Sequence, residues 1–150
     1  MNVLKILKIL IELFFKNKEI KVIPKNMPSI TIDELRTILV AYTPNLWLSD
    51  ETFGLVDTQN LKNFLIFDLI NDRTYITEKL DCDDFSYMLM GRVTEWNSDN
   101  TFGIVWGLNR NGDAHAWNFF VNGSLEVKFV EPQNDEIFDP TTEKIWIMVV

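Results

Sequence analysis

The sequence predicts an α+β domain, with helices through roughly the first two thirds of the chain and an antiparallel sheet in the last third. Two observations carry this. Between residues 31 and 93 apolar side chains recur at spacings of three and four behind capping residues, the pattern of half-buried helices. From residue 101 the period drops to two, and Asn111-Gly112 and Asn122-Gly123 punctuate the run as hairpin turns.

The chain has 150 residues, 47% apolar and 24% charged, which suits one domain with a buried core. That composition excludes disorder, collagen-like repetition and a membrane-spanning bundle. With 14 Lys/Arg against 22 Asp/Glu the net charge is −8, which argues against nucleic acid as the main partner, because phosphate binding needs clustered cations. One cysteine, Cys82, cannot close an internal disulfide. One histidine, His115, beside it leaves no ligand set for a Cys-rich zinc site.

In chain order, residues 1–25 hold six Lys and two Glu, a net +4, and the rest of the chain carries −12. Lys5, Lys8 and Glu12 draw a narrow polar stripe on an otherwise apolar helix. Residues 1–25 are therefore read as an amphipathic helix and linker, and 26–150 as a single domain. The helix at 1–16 needs a cover: its own domain, a second copy in a homodimer, or a membrane surface. It is too short and too charged to span a bilayer, and no small-residue cleavage site follows it, so no localisation is assigned.

Thr31 followed by Glu34 is a capping box for a second helix with the stripe Leu35, Ile38 and Leu39. A third helix is expected over 58–70, with Leu61, Phe64, Leu65 and Leu69 inward. A fourth starts at Asp81 as N-cap with Asp84 at N3, then Phe85, Met88, Leu89 and Val93. Cys82 is its first residue. Strands are expected over 101–108, 114–121 and 124–131 as a meander, and over 144–150 as a strand buried on both faces.

Strand patterning also fixes a register. Leu125, Val127 and Phe129 alternate with Glu126 and Lys128, so odd positions face the core and Glu131 is next on that face. With Gly123 in the left-handed position of a three-residue loop, Val121 pairs with Leu125, Phe119 with Val127, Trp117 with Phe129, and His115 with Glu131.

This register produces a candidate constellation. A helix N-terminus near an imidazolium lowers a thiol pKa, so Cys82 is placed to be a nucleophile, His115 its base, and Glu131 the group that orients the ring. Acids beside a thiol oppose its ionisation. Asp81 and Asp84 read as caps, whereas Asp83 reads either as a cap or as a ligand; Asp83 and Asp84 are the candidate ligands of a cation, for which an oxygen-rich cluster suits calcium. Each residue alone has a plain structural reading, as core thiol, satisfied imidazole or solvated acid.

The motifs DCDDF at 81–85, HAWN at 115–118 and EPQ at 131–133 resemble the papain-like cysteine peptidase domain at the C-terminus of mushroom chimeric agglutinins, a domain similar to small phage and bacterial proteins. The similarity covers about residues 45 to 138 and leaves the N-terminal helix outside. DCDDF with HAW also resembles transglutaminase-like cysteine proteinases, and the Cys-then-His order is similar to cell-wall peptidases and amidases. The resemblance implies a papain-like fold, with N-terminal helices and a nucleophile-bearing helix packed on an antiparallel sheet. It implies a cysteine hydrolase cleaving a peptide or amide bond through a thioester on Cys82, with His115 and Glu131 completing a triad. It further implies calcium dependence and a homodimer. The alternatives are a cell-wall peptidase or amidase of viral or bacterial origin and a non-catalytic structural or binding protein. The segment 71–80 just before Cys82 holds no Gln to help an oxyanion; Gln59, Asn60 and Asn63 are the residues that could fold back to it.

Overall fold

The computed structural model describes residues 22–140 and 144–150, so the amphipathic segment expected at 1–16 lies outside the described residues. The elements are β1 (Ser29–Thr31), α1 (Ile32–Leu39), β2 (Leu46–Trp47), β3 (Thr52–Gly54), α2 (Thr58–Leu65), α3 (Cys82–Trp96), β4 (Gly103–Leu108), β5 (Ala114–Val121), β6 (Val127–Glu131), β7 (Glu136–Phe138) and β8 (Lys144–Val149). No helix among the described residues is long and apolar enough to cross a membrane.

The papain-like organisation expected above, helices first with a sheet as their backing, is not what forms. The frame is a six-stranded sheet in the order β2-β8-β4-β5-β6-β7, and β1 pairs with β3 in a separate two-stranded sheet. The large sheet is not wholly antiparallel, since β2 runs parallel to β8. The outer strands β2 and β7 are too short to show an alternation in sequence. Backbone bonds recruit β2: the Met148 N–H donates to the Asn45 carbonyl at 3.1 Å and the Val150 N–H to the Trp47 carbonyl at 2.9 Å.

Caps define the helices. Thr31 Oγ1 accepts the Glu34 N–H at 3.3 Å and the Thr31 N–H donates to Glu34 Oε2 at 2.8 Å, the reciprocal box that starts α1. Asp57 caps α2 by accepting the Asn60 N–H at 2.8 Å. That helix stops at Leu65, short of the expected residue 70, because Asp68 Oδ2 takes the Ile70 N–H at 3.2 Å and turns the chain away. Leu69, expected inward, is exposed. In contrast α3 runs to Trp96, three residues beyond Val93, the last of its expected apolar positions.

Both faces of the sheet are covered. On one, Leu35 and Leu39 of α1 and Phe53 of β3 join Trp117, Phe119, Val121, Val127 and Phe129. On the other, Leu61, Phe64 and Leu65 of α2 and Phe85, Leu89 and Val93 of α3 pack on Phe120 and Val130. This explains why Phe119-Phe120-Val121 is apolar without alternation: each neighbour faces a different core. β8 departs from expectation in the opposite sense. It is not buried on both faces, since Trp146 and Ile147 are exposed near the sheet's thin edge while Met148 is enclosed.

The β5–β6 register differs from the expected one by two residues. Val121 pairs with Val127, Phe119 with Phe129, and Asn118 with Val130. Asn122 is the cause. Its Oδ1 accepts the N–H groups of Ser124 at 2.9 Å and Glu126 at 3.0 Å, which holds a longer turn than the Asn122-Gly123 signal implied. The left-handed residue is therefore Leu125, at φ 62°, rather than Gly123. A shift by two keeps every side chain on its face, so Trp117, Phe119, Val127 and Phe129 still share one core. Asn122→Ala removes the acceptor for both amides and should destabilise the domain by about 1–2 kcal/mol. Urea unfolding checks this, and an unchanged midpoint would show that the turn does not depend on Asn122.

Candidate functional site

Cys82, expected as the first helical residue, occupies that place in α3, and the turn around it is tied down on all sides. The Asp81 N–H donates to Asp84 Oδ2 at 3.1 Å, and Ser86 Oγ donates to the Cys82 carbonyl at 2.8 Å. One turn along, the Ser86 carbonyl accepts from Asn118 Nδ2 at 3.0 Å, and the same amide nitrogen donates to the Gly103 carbonyl at 3.0 Å. A buried amide thus joins α3 to β5 and β4. The β5–β6 ladder ends at Asn118 and Val130, and two residues earlier on β5 the Ala116 N–H donates toward the Cys82 sulfur. The thiol is half-buried and free.

His115 is the next residue before Ala116 on the same strand. Its Nε2 lies 2.8 Å from Glu131 Oε2, both side chains largely enclosed, and its ring stands edge-on to Trp117 at 4.7 Å between centroids. The pair forms although the register expected to bring it about does not. Continuing the observed register, Glu131 falls opposite Trp117 and reaches His115 diagonally, a distance that a long side chain covers. The other carboxylate oxygen of Glu131 accepts from Gln133 Nε2 at 3.2 Å and from the Gln133 N–H at 3.3 Å. A bond to a carboxylate places the imidazole proton on Nε2 and leaves Nδ1 as the acceptor nitrogen of the neutral ring.

The thiol is not poised as the sequence implied. Burial pushes its pKa up, and the charges of Asp81 and Asp83 push the same way, while the N–H groups of Ala116 and Asp83 pull it down. The net direction is upward, so the resting group is a thiol. Asp83 is itself raised, first by its hydrogen bond with Asp81 and then by burial. Tyr75 stacks on Phe85 at 6.4 Å and lies close enough to feel Cys82, Asp81, Glu78 and Asp83; burial first and then these groups raise its phenol.

The acids sort differently from expectation. Of the candidate ligands Asp83 and Asp84, Asp84 turns back as the cap, and the group that comes together is Asp81, Cys82 and Asp83, with ligand atoms within 4.8 Å of one another. Calcium takes about six to eight oxygens. Two carboxylates and a sulfur do not make that set, so these residues alone do not fit calcium. The helpers considered for an oxyanion are engaged on α2: Gln59 Nε2 bonds Asn63 Oδ1 at 3.1 Å, and Asn60 holds Lys25 and Ile23. Sequence reading missed Gln133 and the Ala116 N–H. Gln133 sits in the EPQ motif with no role given, and a backbone donor leaves no trace in residue identity.

Residues 30–147 match the family described as the ricin-type beta-trefoil lectin C-terminal domain. The chain belongs to that family. Its fold is shared with the PSL1a–E64 complex, at 24% identity and TM-score 0.71, and with the Polyporus squamosus lectin bound to the human-type influenza-binding epitope Neu5Aca2-6Galb1-4GlcNAc, at 23% and 0.70. Each match covers 81% of this chain but only 51% and 49% of the matched chains, so the domain spans about half the length of these structures. No curated protein matches. The resemblance to the C-terminal domain of an agglutinin therefore stands. The papain-like fold does not, because the matched architecture is a sheet-based lectin domain, and the hydrolase and cysteine-peptidase reading that rested on it falls with it.

The raised thiol yields a prediction. Native Cys82 should be alkylated by iodoacetamide with a pH midpoint above about 8.5, the ordinary thiol value. Asp83→Asn removes one of the charges opposing ionisation and should move that midpoint down by less than about one unit. Midpoints are read from labelling rates across mildly acidic to alkaline pH; a wild-type midpoint below the ordinary value contradicts the electrostatics described.

Proposed function

We propose that the domain is a binding module of a lectin-type protein, and that its ligand site is the junction of α3 and β5 with Cys82 as a base-assisted nucleophile. The carrying observation is a half-buried thiol in the first turn of α3 with the Ala116 N–H directed at its sulfur; His115, the residue before Ala116 on β5 and held by Glu131 at 2.8 Å, is the base this reading assigns to it. In this reading the raised thiol keeps its proton until a ligand with an electrophilic carbon arrives. His115 Nδ1 then accepts the proton as the S–C bond forms and a C–O bond at that carbon opens, as in an epoxide; the electron pair stays on the released oxygen, which takes the proton back from the imidazolium, while Glu131 stabilises that imidazolium and keeps the ring from turning. Gln133 fixes the carboxylate in turn. A thiol held protonated at rest suits capture of a chosen ligand better than indiscriminate reaction with solutes.

The compound in the PSL1a complex supplies a probe. E64, an epoxide that alkylates thiols, should add one equivalent to the native protein on Cys82, read by intact mass. Cys82→Ala should take up none, and His115→Ala should slow the addition by at least about a hundredfold, the usual contribution of a positioned base. A native protein that ignores E64 for hours at neutral pH, or His115→Ala labelled at the wild-type rate, overturns the proposal. The glycan named for the Polyporus squamosus neighbour is the second ligand class. Calorimetric titration of Neu5Aca2-6Galb1-4GlcNAc into wild type and Cys82→Ala separates a sugar site elsewhere on the domain, equal in both, from one at the thiol.

A further inference from the structure

Next to Glu131 lies a second constellation, none of whose side chains bonds Cys82 or His115. The turn after β6 folds back on Glu131: the N–H groups of Asn134 and Asp135 both donate to the Glu131 carbonyl, at 3.2 and 2.9 Å. Asp135 closes it at φ 62°, a left-handed conformation that few side chains tolerate. From the loop between α2 and α3, Asn71 Nδ2 donates to Asp135 Oδ2 at 2.6 Å. That loop leads into Asp81 and Cys82. One hydrogen bond therefore joins the segment feeding the thiol to the turn that carries Glu131.

The surroundings make this bond sensitive to protons. Asp135 is half-buried, and Asp68 and Asp72 press negative charge on it; burial first, then Asp68, push its pKa up to about 6 against the pull of Asn71. Asp68 is almost wholly buried at the end of α2 and is committed to Arg92 of α3, Oδ1 to Nε at 3.2 Å, and to the Ile70 N–H. Arg92 is shared with Glu95. Glu131 is turned to His115 and Gln133, and Glu136 on β7 is exposed. The cation of this cluster, Arg92, thus sits on Asp68 and Glu95 rather than on Asp135.

We propose that Asn71 and Asp135 form a proton-operated clasp between the Cys82 loop and the Glu131 turn, closing in mildly acidic conditions and loosening at neutral pH. The sign follows from linkage. A carboxyl whose folded pKa exceeds its unfolded value makes the fold bind more protons, so stability rises as pH falls through about 6 toward about 4, where the unfolded group also protonates. Above that window the ionised carboxylate keeps the Asn71 side-chain N–H, which favours the charged form, but burial and the charges of Asp68 and Asp72 outweigh that bond, so the turn holding Glu131 loosens. The clasp thereby regulates the alignment of His115, a consequence that rests on the site proposed above; the clasp itself does not.

The experiment is native-state hydrogen exchange by NMR on the full chain carrying Cys82→Ala, which keeps the result independent of thiol chemistry. Protection factors of the Asn134 and Asp135 amides, corrected for intrinsic rates, should be at least about threefold higher at about pH 5 than at about pH 7.5. Asp135→Asn mimics the protonated form, so both amides should be as protected at the higher pH as at the lower, and the melting temperature at the higher pH should exceed that of the parent. Asn71→Ala should lower protection at both values. Equal protection at the two pH values in the parent, or a pH step that survives in Asp135→Asn, overturns the clasp. E64 labelling of the Cys82-containing protein is read separately, so loss of either result leaves the other standing.

Discussion

A single buried amide sets the geometry on which the site depends. Asn118 is fully enclosed at the centre of the sheet, and its nitrogen holds the Ser86 carbonyl of α3 and the Gly103 carbonyl of β4 at 3.0 Å each. Apolar packing of Phe85, Leu89 and Val93 would hold α3 on the sheet but would let it slide, since the hydrophobic effect is not directional. A hydrogen bond made away from water is directional and costly to break. Because Ser86 Oγ also closes on the Cys82 carbonyl, the position of Asn118 is passed back one turn to the thiol. Asn118 Oδ1 has no protein partner among the described residues, so the amide is held through its nitrogen alone.

Given that placement, charge decides what the thiol can do. A helix N-terminus favours a thiolate through its free N–H groups, and one such donor, from Asp83, is present. Yet the helix is capped by acids, and Asp81 and Asp83 stand close to the sulfur. Burial tips the balance toward the neutral form. In the proposed site the compensation comes from the sheet, where Glu131 uses both oxygens, one on His115 and one on Gln133, and so holds the ring in place. The same turn that supplies Gln133 is anchored through Asp135, which links the electrostatics of the site to a carboxylate cluster behind it.

Much of this was legible in the chain. The caps at Thr31 and Asp81, Cys82 as the first residue of its helix, and the shared face of His115 and Glu131 all follow from local chemistry and from the two-residue period of a strand. The register was not legible. Whether the turn closes tightly on Gly123 or runs on to Leu125 depends on which backbone amides the Asn122 side chain captures, a choice made in three dimensions. The error was an even number of residues, and parity protected the contact between His115 and Glu131. The overall architecture was hidden for a related reason. β2 and β7 have two and three residues, and they become strands only because β8 and β6 offer them an edge. Without them the sequence reads as helices on a small meander; with them it builds the sheet of a lectin C-terminal domain.

Cys82 and His115 must belong to one site for the thiol chemistry to operate, and the sole histidine of the chain makes that directly observable. Long-range proton–nitrogen NMR of the imidazole, recorded before and after Cys82 is capped by iodoacetamide, reports on each ring nitrogen separately. Capping should shift the Nδ1 resonance while Nε2, held by Glu131, stays near its starting value. Identical ring spectra in the free and capped protein would mean that thiol and imidazole do not meet, and would contradict a shared site.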